Sequence, residues 1–288
     1  MGSIKVTDKN IPIDEAFYHK IELMVKRCTK KKPIKDVLLN IEGEEGIGKT
    51  SLSILVGYIA ADLTDRPFSD KNVFADVGEA TKFAQETSRQ IIIFDEPASD
   101  TLSAEWWKDT QKNLIKLLMM ARKKQHFFIF NLTKFFKFAE YIVVDRAIGM
   151  IHLYTKDESE QPHWVYIKKK NLERLYNDYR TKKQRNYRKY YSIRGTFPDV
   201  LDEKKEYNIL DTFDYDAYEA DKDKSIQKIG SKKSNPKELS ELKKFKYQIG
   251  SLEFPIENKT EFAEKMGVPR TTISEWRRNK ALLTSSIG

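Results

Sequence analysis

The chain has 288 residues, 40% of them hydrophobic and 33% charged, with a net charge of +9. That length suits one or two domains and that mix is globular, with apolar mass enough for a core. The single cysteine, Cys28, excludes an intramolecular disulfide and fits a reducing compartment.

The first ten residues lack the apolar centre of a signal peptide. The longest apolar stretch, around Ser51 to Ala61, is too short to span a bilayer. The expectation is a soluble, cytoplasmic protein with no membrane insertion. A pI near 9.2 favours nucleic acid or another anionic surface as partner and carries no information about fold.

In chain order, an N-terminal extension (1–35) holds one amphipathic helix, Asp14 to Arg27, and the basic run Lys30 to Lys32. Asp36 to Glu42 reads as a buried strand running into a glycine-rich loop, and Lys49 to Leu63 as a helix with Leu52, Leu55, Val56 and Ile59 at helical spacing. Val73 to Asp76 suits a short strand, Gly78 to Ser88 a helix, and Gln90 to Phe94 a strand covered on both faces. A long helix over Leu102 to Lys123 follows, then a strand from His126 to Asn131. Phe138 to Arg146 reads as a helix or tight connection, and Met150 to Tyr154 and His163 to Ile167 as two more strands. This alternation predicts an α/β core over 36–170, with a mainly parallel central sheet flanked by helices. A basic, tyrosine-rich helical stretch (171–195) and an acidic, aromatic one (196–220) form an extension. Residues 221–236 have linker composition, and 237–288 form a small all-α domain.

Two motifs in the core carry chemistry. Gly43-Glu44-Glu45-Gly46-Ile47-Gly48-Lys49-Thr50 satisfies the phosphate-binding pattern G-x-x-x-x-G-K-[ST], between a strand and a helix as that pattern requires. Its glycines let backbone N–H groups turn toward a phosphate, and the helix begun at Gly48 aims its positive end there. Lys49 supplies a charge for the β- and γ-oxygens, Thr50 a hydroxyl for Mg²⁺, and Ser51 completes the nucleotide-contacting set. The strand Ile91 to Phe94 ends in Asp95, a second metal ligand, and Glu96, which would polarise the attacking water. ATP and Mg²⁺ are the cofactors implied. Asn131, at the next strand end, suits a γ-phosphate sensor or an ordinary cap. Arg122 and Arg146 are candidate arginine fingers, acting in a neighbouring subunit or otherwise surface residues. His19, His126, His152 and His163 have no clustered ligands and read as structural. Trp106 and Trp107 read as core residues, with a DNA- or subunit-facing role as the alternative.

Two further stretches suit nucleic acid. In 259–282, Phe262, Ala263 and Met266, the turn at Gly267, and Ile273 and Trp276 fall at helix-turn-helix spacing. The second helix would present Arg270, Thr271, Thr272, Ser274, Glu275, Arg277 and Arg278 to DNA. A protein-binding helical hairpin is the alternative. Over Lys168 to Arg194, eleven cations interleave with Tyr176, Tyr179, Tyr187, Tyr190 and Tyr191. That is a pattern for following phosphates and stacking on bases, or a solvated basic helix.

The motif order over 36–155 resembles the additional-strand class of P-loop ATPases, and within it the HerA/FtsK group of DNA-pumping ATPases. That group includes viral packaging ATPases and Zot-like plasmid and phage proteins. The likeness rests on Gly43 to Thr50, Ile91 to Glu96, and Ala121 to Asn131, where Asn131 stands in place of the usual Gln. It implies a DNA translocase or packaging motor working as a homo-oligomeric ring on DNA, virus- or plasmid-encoded. Two other readings stay open: a helicase-loader-like factor with a replication protein as partner, and a DNA-binding regulator that uses ATP as a switch.

Overall fold

A computed structural model describes residues 3–32, 34–95, 104–155 and 162–231, with side chains described over the same ranges except 3, 104–107 and 226–231. The chain divides into two compact units, Met1–Ile226 and Gln227–Gly288. The proposed helix-turn-helix, with Arg270, Thr271, Thr272, Ser274, Arg277 and Arg278, lies outside the described residues, as do Glu96 and the side chains of Trp106 and Trp107.

The first unit opens with an antiparallel hairpin, β1 (Ser3–Val6) and β2 (Lys9–Pro12), followed by α1 (Glu15–Cys28). Asp14 caps α1 by accepting from the Ala16 N–H, and Lys26 and Arg27 sit at its negative end. The helix buries Phe17, Ile21, Met24, Val25 and Cys28. That apolar face explains why the described residues of 1–35, expected as an extension, pack into the same unit as the core.

The central sheet has seven strands in the order β4-β5-β6-β3-β7-β8-β9. They are β3 (Val37–Glu42), β4 (Val73–Phe74), β5 (Ile91–Phe94), β6 (Phe127–Leu132), β7 (Gly149–Tyr154), β8 (His163–Lys168) and β9 (Ile193–Thr196). The pairs from β4 through β7 are parallel, and β8 and β9 add on antiparallel. Helices α2 (Lys49–Thr64), α3 (Val77–Glu86), α4 (Ala104–Met120) and α5 (Lys169–Lys182) cover it. This is an α/β fold with a mostly parallel sheet flanked by helices, consistent with a P-loop NTPase.

Side chains alternate across the sheet as the two-residue strand period requires. Leu39, Ile41, Ile93, Ile129, Ile151 and Leu153 join the cluster of α1 and α2. Leu38, Ile92, Phe94, Phe128, Phe130 and Met150 join that of α3, α4 and α5. With both faces covered, all six residues of β3 are buried, which is why the strand is apolar apart from Asn40 and the closing Glu42.

Two expectations for the C-terminal part are corrected. Residues 193–196, assigned to a helical stretch, form edge strand β9, because their backbone pairs with β8. Residues 221–231, read as linker, continue helix α6 (Tyr215–Ser231). Asp214 accepts from the Ala217 N–H at its start, and buried Tyr218 and Ser225 anchor it, so packing overrides a polar composition. No helix among the described residues is long and apolar enough to cross a membrane.

Candidate nucleotide site

The carboxyl ends of β3, β5 and β6 meet at one edge of the sheet, and each delivers a polar residue there. Strand β3 runs directly into the loop Gly43 to Gly48, and α2 starts at Lys49. Gly46 and Gly48 take φ of +75° and +92°, a region a side chain disfavours. At Gly48 the Phe197 ring also lies 3.2 Å from where a Cβ would stand, so the turn and its cover both call for glycine. Gly43 is pressed against Leu153 of β7, with a Cβ-position distance of 3.0 Å.

Lys49 is buried, and its Nζ donates to the carbonyls of Gly43 (3.1 Å) and Glu44 (2.6 Å), which holds the ammonium across the mouth of the loop. Glu44, Glu45 and Gly46 are exposed, with Ile47 half-buried between them and the core. The Ser51 hydroxyl does not face the loop's interior. It donates to Asp199 (2.7 Å) and accepts from the Val200 N–H (3.3 Å), pinning the 197–200 segment onto the start of α2.

Asp95 is the centre of the arrangement and is fully buried. Its Oδ1 accepts from Thr50 Oγ1 (3.1 Å) and Asn131 Nδ2 (2.7 Å). Its Oδ2 accepts from the Tyr218 hydroxyl and from Lys222 Nζ (3.2 Å), and Lys222 also donates to Tyr218 (3.2 Å). Burial alone would raise the Asp95 pKa. The Lys222 charge and the hydrogen bonds from Asn131, Tyr218 and Lys222 outweigh it and hold the carboxyl below its usual 3.8. Burial and the neighbouring carboxylate push the Tyr218 phenol far above its usual range, so it stays a neutral donor. Asn131 also donates to Ser53 (3.0 Å), while its Oδ1 is buried without a hydrogen-bond partner among the described residues.

The structure therefore brings together Lys49, Thr50, Asp95 and Asn131. It does not bring the two arginines to them. Arg122 is exposed in a 3-10 turn before β6, and Arg146 binds Asp36 (2.5 Å) just before β3. Both lie at the amino ends of parallel strands, a six-residue strand or roughly 20 Å from the loop. The Arg146 guanidinium is held there in an ion pair.

Sequence reasoning missed Tyr218, Lys222, Phe197 and Asp199. Tyr215, Tyr218 and Lys222 share helical spacing, i, i+3 and i+7, which would have marked one face of a helix in the acidic segment.

The residues fit a nucleoside triphosphate with its divalent cation. A carboxylate and a hydroxyl in contact, an ammonium over a glycine loop, and an orphaned amide oxygen are the donor set that phosphates, a hard cation and a water require. Among the described residues, no cluster of three or more His, Cys, Asp or Glu side chains forms a separate metal site.

No family model and no curated protein matches the chain. Among solved structures, flagellar accessory protein FlaH from Methanocaldococcus jannaschii is similar over 57% of this chain and 87% of its own, at 13% identity and a TM-score of 0.28. A score that low adds nothing to the geometry of Lys49, Thr50, Asp95 and Asn131.

Proposed function

We propose that the protein binds and hydrolyses ATP, and that it does so as a DNA-dependent motor. The observation that carries the first part is the contact of Thr50 with Asp95 beside Lys49 and Asn131. Thr50 and Asp95 would hold Mg²⁺, which supplies Lewis-acid neutralisation of the transferring phosphoryl group. Lys49, freed from the Gly43 and Glu44 carbonyls, would meet the β- and γ-oxygens. Glu96 would orient the attacking water, and the free Asn131 oxygen is suited to accept a hydrogen bond from it.

The motor reading draws support from the motif order over 36–155, the net charge of +9 and the basic stretches. It places arginine help in trans, from a second copy in a ring. One observation favours a switched, slower enzyme, as in the loader or regulator readings: Tyr218 and Lys222 engage Oδ2, one of the two Asp95 oxygens open to a cation. The test is the ATPase rate with and without duplex DNA across protein concentration. A motor predicts strong DNA stimulation and a steep concentration dependence. A slow rate indifferent to both would refute the motor and favour the switched enzyme.

A further inference from the structure

On the sheet face away from α2, a cavity of about 920 Å³ opens at the carboxyl end of β7, between β8, β9 and the 184–191 segment. Its back wall is a band of rings. Tyr187 stacks on His152 at 3.7 Å and 9°, His152 is parallel to Tyr154 at 6.0 Å and 10°, and Tyr154 faces His163 at 5.5 Å and 27°. The band continues behind Tyr187 to Phe136, which stacks on Tyr179 at 4.0 Å.

The ring planes are fixed from below. Glu42, the last residue of β3, accepts from the Tyr187 hydroxyl (3.0 Å) and pairs with His152 Nδ1. Burial and Glu42 raise the Tyr187 pKa well above its usual range, so the bond persists.

The rim is cationic. Arg185, Arg188 and Arg194 line the opening and are exposed, and no carboxylate among the described residues pairs with them. Arg194 stands on β9, while Arg185 and Arg188 stand on the 184–191 segment, so cations lie on both sides of the rings. Arg185 is steadied over Phe136 and Tyr179, at 5.7 and 5.3 Å. No acidic side chain is among the described residues that line the cavity.

Rigid, partly exposed rings between guanidinium groups that meet no carboxylate among the described residues suit a polyanion with free planar groups. Base pairs inside a duplex are already stacked on each other and cannot reach such a wall, whereas unpaired bases can. The band is also longer than one base needs. We propose that this cavity is a binding groove for single-stranded nucleic acid, with bases against the exposed parts of the ring band, at Tyr154 above all, and phosphates on Arg185, Arg188 and Arg194. This does not depend on ATP hydrolysis. It does place the strand over the rings that Glu42, the residue next to Gly43, holds from below.

The test is fluorescence anisotropy of the full chain, without nucleotide, on a labelled oligo-dT, an oligo-U and a DNA duplex, over a range of salt. Arg188→Ala with Arg194→Ala should weaken both single strands by about ten-fold or more. It should also flatten the salt dependence by about 0.7 in log–log slope for each phosphate no longer neutralised. Tyr154→Ala should weaken binding about five-fold or more with the slope unchanged, the signature of diminished stacking. Lys112→Ala with Lys116→Ala, removing the same charge from exposed positions on α4, should change affinity less than about two-fold. Equal losses from the groove and α4 variants would overturn the proposal. So would groove variants that bind single strands normally. Failure here leaves the ATPase reading standing, because no arm measures turnover.

Discussion

Two buried carboxylates flank the phosphate loop, Asp95 at the end of β5 and Glu42 at the end of β3, and they are held in different ways. Each accepts from a tyrosine far along the chain, Tyr218 for Asp95 and Tyr187 for Glu42. Asp95 also meets a permanent cation, Lys222, together with Thr50 and Asn131. Among the described residues Glu42 otherwise meets a histidine, stacked within a ring band. A carboxylate answered by an ammonium is one whose charge the fold can exchange for another cation. A carboxylate answered by His152 and Tyr187 fixes ring planes. The first arrangement suits chemistry and the second suits support.

Asp95→Ala removes the first of these carboxylates outright. It leaves the Asn131 amide, the Thr50 hydroxyl and the Tyr218 hydroxyl without their shared acceptor. The expected loss is roughly 2–4 kcal/mol of stability, measured as a fall in Tm or denaturant midpoint, together with loss of Mg²⁺-dependent hydrolysis. A variant as stable as wild type would show that Asp95 is not the hub described.

Lys222→Ala should act in the opposite direction on metal. A hydrogen bond to a charged group is worth about 1.5–3 kcal/mol, so removing this one should tighten Mg²⁺ binding about ten-fold or more. Titration of Mg²⁺ in the presence of ATP checks this, and unchanged affinity would mean that Lys222 does not compete. The same variant has a pH consequence. Because the folded Asp95 pKa lies below the usual 3.8, its contribution to stability is complete above 3.8 and is lost as pH falls through the lower folded value. Without Lys222 the folded value rises toward 3.8, so that share of the acid loss should shrink in an acid-unfolding series.

The smallest effects separate the tyrosines. Tyr218→Phe and Tyr187→Phe should each lower stability by about 1–2 kcal/mol, but only Tyr218→Phe should shift the Mg²⁺ dependence of nucleotide binding. Equal shifts from both would erase the distinction between the two carboxylates.

The loop Gly43 to Thr50, strand β5 with Asp95, and Asn131 at the end of the next strand were legible in the sequence. Each is set by a short local pattern: glycines before a helix, an apolar run, a polar residue closing it. What covers them was not. Tyr218 and Lys222 reach Asp95 across more than 120 residues, and Asp199 reaches Ser51 across 148. No local rule encodes those contacts. Composition misled over 221–231, where lysines, aspartates and a serine read as linker but continue α6 from a buried Tyr218. Spacing alone could not show that Arg146 is held by Asp36, or that His152 and His163 belong to a ring band rather than to isolated structural sites.

Calorimetric titration of ATP into wild type and Lys49→Ala, each with Mg²⁺ and with a chelator, asks whether a nucleoside triphosphate sits on the loop with Mg²⁺ at Thr50 and Asp95. Binding to wild type should strengthen with Mg²⁺ and weaken about 10–100-fold in Lys49→Ala, the loss expected for one charged hydrogen-bonding partner. Wild type that ignores ATP, or a Lys49→Ala protein that binds it equally well, would mean that the loop is not a nucleotide site.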